Sequence, residues 1–272
     1  MSERDRGEME RGKKADALWS RLAELTPARV ALGRVGASLP TREVLRFQMA
    51  HAAARDAVHI ALDIDALEAE VKALGSRCLR VRSDATQRDL YLRRPDLGRR
   101  LDQASATRLD GAGEHGCDLV IVIGDGLSSR AVAGNAPPLV AHLLAYCAHL
   151  GLSVAPVVLA EGARVALGDE VGERLAARMS LVLIGERPGL SAPDSLGAYL
   201  TLSPRRGLSD ASRNCVSNIR PGGLDSEAAA YRIAWLMKRA FALNVTGTRL
   251  KDESDREPEP EIVRLSVRPT SA

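Results

Sequence analysis

From residue 117 onward, short apolar runs at 119–123, 153–159 and 181–184 alternate with stretches of helical periodicity. This alternation narrows the folds open to the chain more than any other feature. Continuous runs of Val, Leu and Ile this short read as strands buried on both faces, and buried strands alternating with helices are the pattern of βαβ units around a parallel sheet. Between the first two runs, Asn135-Ala136-Pro137-Pro138 is expected to open a helix whose Leu139, Val140, Leu143, Leu144, Cys147 and Leu150 share a side, with Gly151 closing it. A second helix is expected over 169–179. Two further extended pieces, 198–202 and 215–219, precede a final helix over 226–243. The sheet should hold about five strands.

The residues ahead of 117 read differently. Residues 1–14 alternate acids and bases and are expected to be mobile, while Leu18, Trp19, Leu22 and Leu25 recur at helical spacing before Thr26-Pro27 interrupts them. Thr41 can cap a helix whose Leu45, Met49, Ala52 and Ala53 share one face and whose Arg46 and Arg55 lie on the other. A half-polar helix of this kind needs a surface to lie against, and that surface can belong to another chain. Beyond Leu250 the run from Lys251 to Pro260 is charged and interrupted by proline, a composition that cannot bury a core. The expectation is an α/β protein with a Rossmann-like, mostly parallel sheet flanked by helices and an N-terminal helical arm. Its parts would be a mobile charged segment over 1–14, a helical arm and connecting region over 15–110, the α/β domain over 111–245, and a charged, disordered tail over 246–272. Eight βα units do not fit in that space, which excludes a TIM barrel.

Composition removes several classes of function. A net charge of +3 over 272 residues and an aromatic share of 3% leave neither the electrostatic footprint nor the stacking platforms of a nucleic-acid binder. No run approaches the roughly 18 apolar residues of a membrane span, and the first residues have no apolar stretch of the kind a secretory signal needs, so a cytoplasmic protein is expected. The four cysteines, Cys78, Cys117, Cys147 and Cys215, show no C-x-x-C spacing, and the five histidines are not clustered, which argues against a metal site.

In open parallel sheets, ligands bind beyond the carboxyl ends of the strands. Three loops occupy such positions: Gly124-Asp125-Gly126-Leu127-Ser128-Ser129, Glu161-Gly162-Ala163-Arg164-Val165 and Gly185-Glu186-Arg187-Pro188-Gly189. Each combines glycine with a charged or hydroxyl side chain, and together they outline a cleft, although Gly-Asp-Gly and Arg-Pro-Gly are also ordinary turn chemistry. None is a G-x-G-x-x-G or P-loop fingerprint. The segment 91–100 places Arg93, Arg94, Arg99 and Arg100 around a proline turn, suited to clamping an anion, to a subunit interface or simply to solvent. No Ser/His/Asp or Cys/His set can be assembled, so the chain has the look of half a site.

Taken together, Leu32 to Thr41, Phe47 to His59 with Ala54-Arg55-Asp56-Ala57-Val58-His59, the segment 91–101, the loops at 123–128 and 185–190, and Arg213-Asn214-Cys215-Val216-Ser217-Asn218-Ile219 resemble the ethanolamine ammonia-lyase small subunit from about Trp19 to Leu243. The resemblance implies a hetero-oligomer in which a TIM-barrel large subunit binds ethanolamine and this subunit closes over adenosylcobalamin at the interface, the products being acetaldehyde and ammonia. It implies cobalamin contacts at Val165, Glu186 and Cys215, no catalytic residue on this subunit and no activity of the subunit alone. None of the histidines stands in a D-x-H-x-x-G pattern, so the cobalamin is expected to keep its own base on cobalt. Many family members carry a long N-terminal extension that directs them to a bacterial microcompartment; here a short charged segment precedes Trp19. The alternatives are a free-standing Rossmann-like enzyme using Asp125 and Glu186 as acid and base, and a scaffold subunit without a catalytic partner.

Overall fold

The computed structural model describes residues 19, 21–22, 24–26, 28–30, 32–113 and 115–256. The charged segment 1–14, much of the helix expected around Trp19 and residues 257–272 lie outside the described residues. Two compact units divide the chain at Arg55, residues 189–191 going with the first.

In the first unit, Val35 and Ser38 exchange backbone hydrogen bonds of 2.8 and 3.1 Å around Gly36, whose positive φ of 62° closes the turn. Helix α1, Thr41–His59, starts at the residue expected to cap it and runs on past the unit boundary. Its expected apolar face is exposed, with Leu45 at 54% and Met49 at 73% of full accessibility.

The second unit is built on a sheet of order β1-β3-β2-β4-β5-β6. Its strands are β1 (Cys78–Arg82), β2 (Leu119–Gly124), β3 (Val157–Glu161), β4 (Met179–Gly185), β5 (Leu196–Leu202) and β6 (Asn214–Ile219). The first four in spatial order are parallel, and β5 and β6 complete the sheet as antiparallel strands. On one face lie α2 (Ile64–Ala73), α5 (Ser129–His149) and α7 (Ser226–Leu243), and on the other α4 (Gln103–Asp110) and α6 (Leu167–Arg174); α3 (Arg88–Arg93) is a short helix after β1. Every residue of β2 and β4 is buried, as expected of strands covered by helices on both faces. The helix starts follow local chemistry: Asp63, Asp102, Ser128 and Asp225 each accept a hydrogen bond from the N–H three residues on.

The bounds of the strands and helices depart from the sequence reading in four places. The sheet has six strands rather than five, because β1 lies where only connecting chain was expected. As an edge strand it can carry polar side chains: Arg80 pairs with Asp65 and Glu68, and Arg82 reaches Glu161 at 2.6 Å on the neighbouring strand. Helix α5 starts at Ser129, not at Asn135, and contains Pro137 and Pro138. The Ser128 cap starts it, and the prolines deprive the carbonyls of Ala133 and Gly134 of their usual donors without ending the helix. Strand β3 begins only at Val157, after Pro156, which has no N–H to give to a ladder. Helix α6 ends at Arg174 rather than near 179, followed by Ala176 with a positive φ of 48°.

Further contacts tie the antiparallel side down. Arg213, just before β6, forms a buried ion pair with Asp169 of α6 (Nη2 to Oδ2, 2.8 Å), both side chains being 2% exposed. Residues 246–256, within the stretch read as a loose tail, are held in place: Thr246 Oγ1 donates to Ser212 O at 2.8 Å, Leu250 is buried in the core, and Arg232 binds Asp255 at 2.7 Å.

Candidate functional site

The loop after β2 turns inward. Asp125 Oδ1 accepts from the N–H of Gly126 at 3.0 Å and from that of Ala163 at 2.9 Å, so it ties this loop to the one after β3. Its other oxygen faces Arg88 Nη1 at 3.5 Å, and Arg88 also donates to Gly126 O at 2.8 Å and Val58 O at 2.7 Å. Burial pushes the Asp125 carboxyl upward from its usual range, against the pull of these N–H donors and of Arg88. Gly126, with φ of 57°, lies so close to Gly185 that a Cβ would collide with the Gly185 carbonyl, and Leu127 N–H donates to that carbonyl at 2.9 Å. The loops after β2, β3 and β4 are thereby fastened to one another.

Beside them stands Tyr91, fully buried, its hydroxyl donating to Ala163 O at 3.1 Å. The Arg88 guanidinium lies 4.8 Å and that of Arg164 4.1 Å from its ring centroid. Arg164 is held by backbone on both sides: its N–H donates to Gly98 O at 2.7 Å and its Nη2 to Tyr91 O at 3.2 Å. Gly98 must be glycine, since a Cβ there would stand 2.8 Å from Arg164 Cγ and 2.9 Å from Gly162 O.

The result is a cavity of about 420 Å³ beyond the ends of β3, β2 and β4, lined by Arg164, Val165, Glu186 and Arg187 together with Tyr91 and Tyr199. Two of the three residues singled out from sequence, Val165 and Glu186, therefore share one cavity. Cys215 is not part of its lining but lies in register with Tyr199, which is. Partial desolvation raises the Cys215 thiol above its ordinary range and the Glu186 charge adds to that, against the Tyr199 hydroxyl. Glu186 Oε2 accepts from Ser195 Oγ and from the N–H of Asn218, the latter at 3.3 Å. Asp125 opens on a different cavity of about 230 Å³, with Arg82, Arg88, Ser129 and Glu161. Arg93, Arg94, Arg99 and Arg100 line neither; all four are exposed, and Arg94 is paired with Asp96 at 2.7 Å.

The sequence matches the family described as ethanolamine ammonia-lyase light chain over residues 16–251. The ethanolamine ammonia-lyase small subunit of Rhodopseudomonas palustris is 57% identical over 246 residues, covering 90% of this chain and 94% of that relative. Those of Bradyrhizobium diazoefficiens and Xanthomonas campestris pv. campestris are 56% and 53% identical, covering 87% and 88% of this chain and 92% and 89% of their own lengths. The chain belongs to the light-chain family.

The light-chain match spans all six strands, the three strand-end loops and Val165, Glu186 and Cys215. Sequence reasoning quoted Arg164 in a candidate loop and Tyr91 in the arginine-rich segment but did not foresee that the two stack, and it missed Tyr199 beside Cys215 and Ser195 on Glu186. Tyr199 and Ser195 had no local signal, since strand register decides what they meet. The Tyr91 pairing depends on a loop more than seventy residues away. Among the described residues no cluster of His, Cys, Asp and Glu could hold a metal ion, and no helix is long and apolar enough to cross a membrane.

Proposed function

We propose that this chain is the small subunit of an adenosylcobalamin-dependent ethanolamine ammonia-lyase, which converts ethanolamine to acetaldehyde and ammonia, and that its strand-end cavity holds an edge of the cobalamin at the interface with the large subunit. The observation that carries the reading is the convergence of Val165 and Glu186 on one cavity, with Cys215 one strand away beside Tyr199, in a chain of the light-chain family. The donor set suits the cofactor's periphery. Glu186 can accept hydrogen bonds from primary amides or hydroxyls, the Arg164 guanidinium can donate to amide carbonyls, and Val165 and Tyr199 offer apolar surface. A cavity of about 420 Å³ is much smaller than a cobalamin, so this chain would enclose only part of it and the large subunit the rest.

When bound, the cofactor would supply homolytic chemistry that protein side chains do not provide. The residues here would orient it and keep water from its edge. The reading of Asp125 and Glu186 as an acid–base pair loses support, because the two carboxylates open on different cavities and Asp125 is engaged by backbone N–H groups and Arg88.

The test is ethanolamine-dependent acetaldehyde release with adenosylcobalamin, measured for this chain alone, for a co-expressed large subunit alone and for the two combined. Activity only in the combination is expected. Activity of this chain alone, or full activity without it, would overturn the proposal.

A further inference from the structure

The Glu186 carboxylate is held asymmetrically. Three strands contribute to its surroundings: it follows β4, Ser195 immediately precedes β5, and Asn218 is near the end of β6. Both donors go to the same oxygen: the Ser195 hydroxyl and the Asn218 N–H each meet Oε2. Glu186 N–H in turn donates to Ser195 O at 3.0 Å, so backbone and side chain of the pair are bound to each other. Oε1 lies over Gly197, where a Cβ would come within 2.9 Å of it and within 3.0 Å of the Tyr199 ring. Among the described residues Oε1 accepts no hydrogen bond. Asn218 turns its N–H toward the carboxylate from a left-handed backbone, φ 58°, a conformation that asparagine tolerates better than most residues. One oxygen thus has two donors from the protein side, while the other has none among the described residues, in a side chain that lines the cavity.

We infer that Ser195 is a positioning residue: its hydroxyl fixes the Glu186 carboxylate so that Oε1 is presented to a hydrogen-bond donor of the ligand, with Gly197 keeping the space for that oxygen clear. The inference rests on the proposed cobalamin site and adds a residue to it. The Ser195 side chain is buried, 7% exposed as a residue, so it acts on the ligand through Glu186 and not by contact. Without its hydroxyl, Oε2 would keep only the 3.3 Å bond from Asn218, and Glu186 would gain rotamers that turn Oε1 away.

The experiment is a double-mutant cycle in the assembled enzyme, reading the apparent dissociation constant of adenosylcobalamin by titration, with the melting temperature of each variant as a control. Ser195→Ala is expected to raise the dissociation constant by about three- to ten-fold when Glu186 is present and to change nothing further in a Glu186→Ala background. An equal loss in both backgrounds would show a structural role and overturn the inference. Should Ser195→Ala fail to assemble, Ser195→Cys tests the same contact with a near-isosteric, weaker donor: it should weaken binding with Glu186 present and be silent without it, and additive behaviour again overturns the assignment. Unchanged affinity in Glu186→Ala alone would remove the proposed site and this inference with it. A Glu186 effect without one from Ser195 would remove only the inference.

Discussion

Asp125 and Glu186 occupy matching places, each in the loop that leaves the carboxyl end of a central parallel strand, yet their carboxylates serve opposite ends. Asp125 also borders a cavity, but N–H groups from two loops and Arg88 use both of its oxygens. Glu186, which lines the larger cavity, has one oxygen bound by Ser195 and Asn218 and the other without a donor among the described residues. The difference lies in what surrounds each loop. Asp125 is flanked by glycines that let the loops after β2, β3 and β4 close around it, whereas Glu186 stands at the change from parallel to antiparallel pairing, where no helix follows its strand directly. An acidic residue in a strand-end loop can therefore be fully engaged by protein donors, as Asp125 is, or keep one oxygen without them, as Glu186 does.

Two substitutions test how deep that contrast goes. Asp125→Ala should cost about 3 kcal/mol of stability in chemical denaturation, since it leaves the partly buried Arg88 without its carboxylate and strips acceptors from the amides of Gly126 and Ala163. Glu186→Ala should cost far less; a comparable loss would mean that Glu186 is a fastener too. Gly126→Ala comes next, at about 2 kcal/mol, because it combines a left-handed backbone with a Cβ driven into the Gly185 carbonyl. As Gly185 adjoins Glu186, this variant should also weaken the proposed binding of cobalamin in the assembled enzyme. Lost stability with unchanged binding would show that the loops after β2 and β4 are independent.

Much of the architecture was legible because burial on both faces imprints itself on composition. Strands β2 and β4 are unbroken apolar runs, and α7 spans the residues expected of it, from Ser226 to Leu243. Strand β1 was missed because its Arg80 and Arg82 are satisfied by Asp65, Glu68 and Glu161, partners that local sequence does not display. The prolines of α5 misled for a related reason: the Ser128 cap and a buried apolar stripe outweigh the two lost hydrogen bonds. At the site, the rule that ligands gather at strand ends located the loops, and the family resemblance picked out Val165, Glu186 and Cys215. Neither could supply Ser195 or Tyr199, which arrive there through the antiparallel pairing of β4, β5 and β6.

A third carboxylate sharpens the contrast at smaller cost. Asp118 stands at the opposite end of β2 from Asp125, where Ser153 donates to its Oδ2 through N–H at 2.9 Å and hydroxyl at 2.8 Å while the exposed Arg178 binds Oδ1 at 2.7 Å. The Ser153 backbone bond, with its hydroxyl and Arg178 in support, holds the Asp118 carboxyl below its usual range even though burial opposes this. A group with a depressed folded pKa contributes stability that is present above its unfolded pKa and disappears as pH falls through the folded one. Asp118→Asn should therefore cost about 1 kcal/mol at neutral pH, the solvent-facing Arg178 adding little, and nothing once both forms are titrated below the ordinary carboxylate range. Denaturation midpoints of the two proteins should converge on acidification. A gap that persists in acid would mean that Asp118 acts through hydrogen-bond geometry alone, like a neutral cap, and that only the carboxyl ends of the strands put carboxylate charge to use.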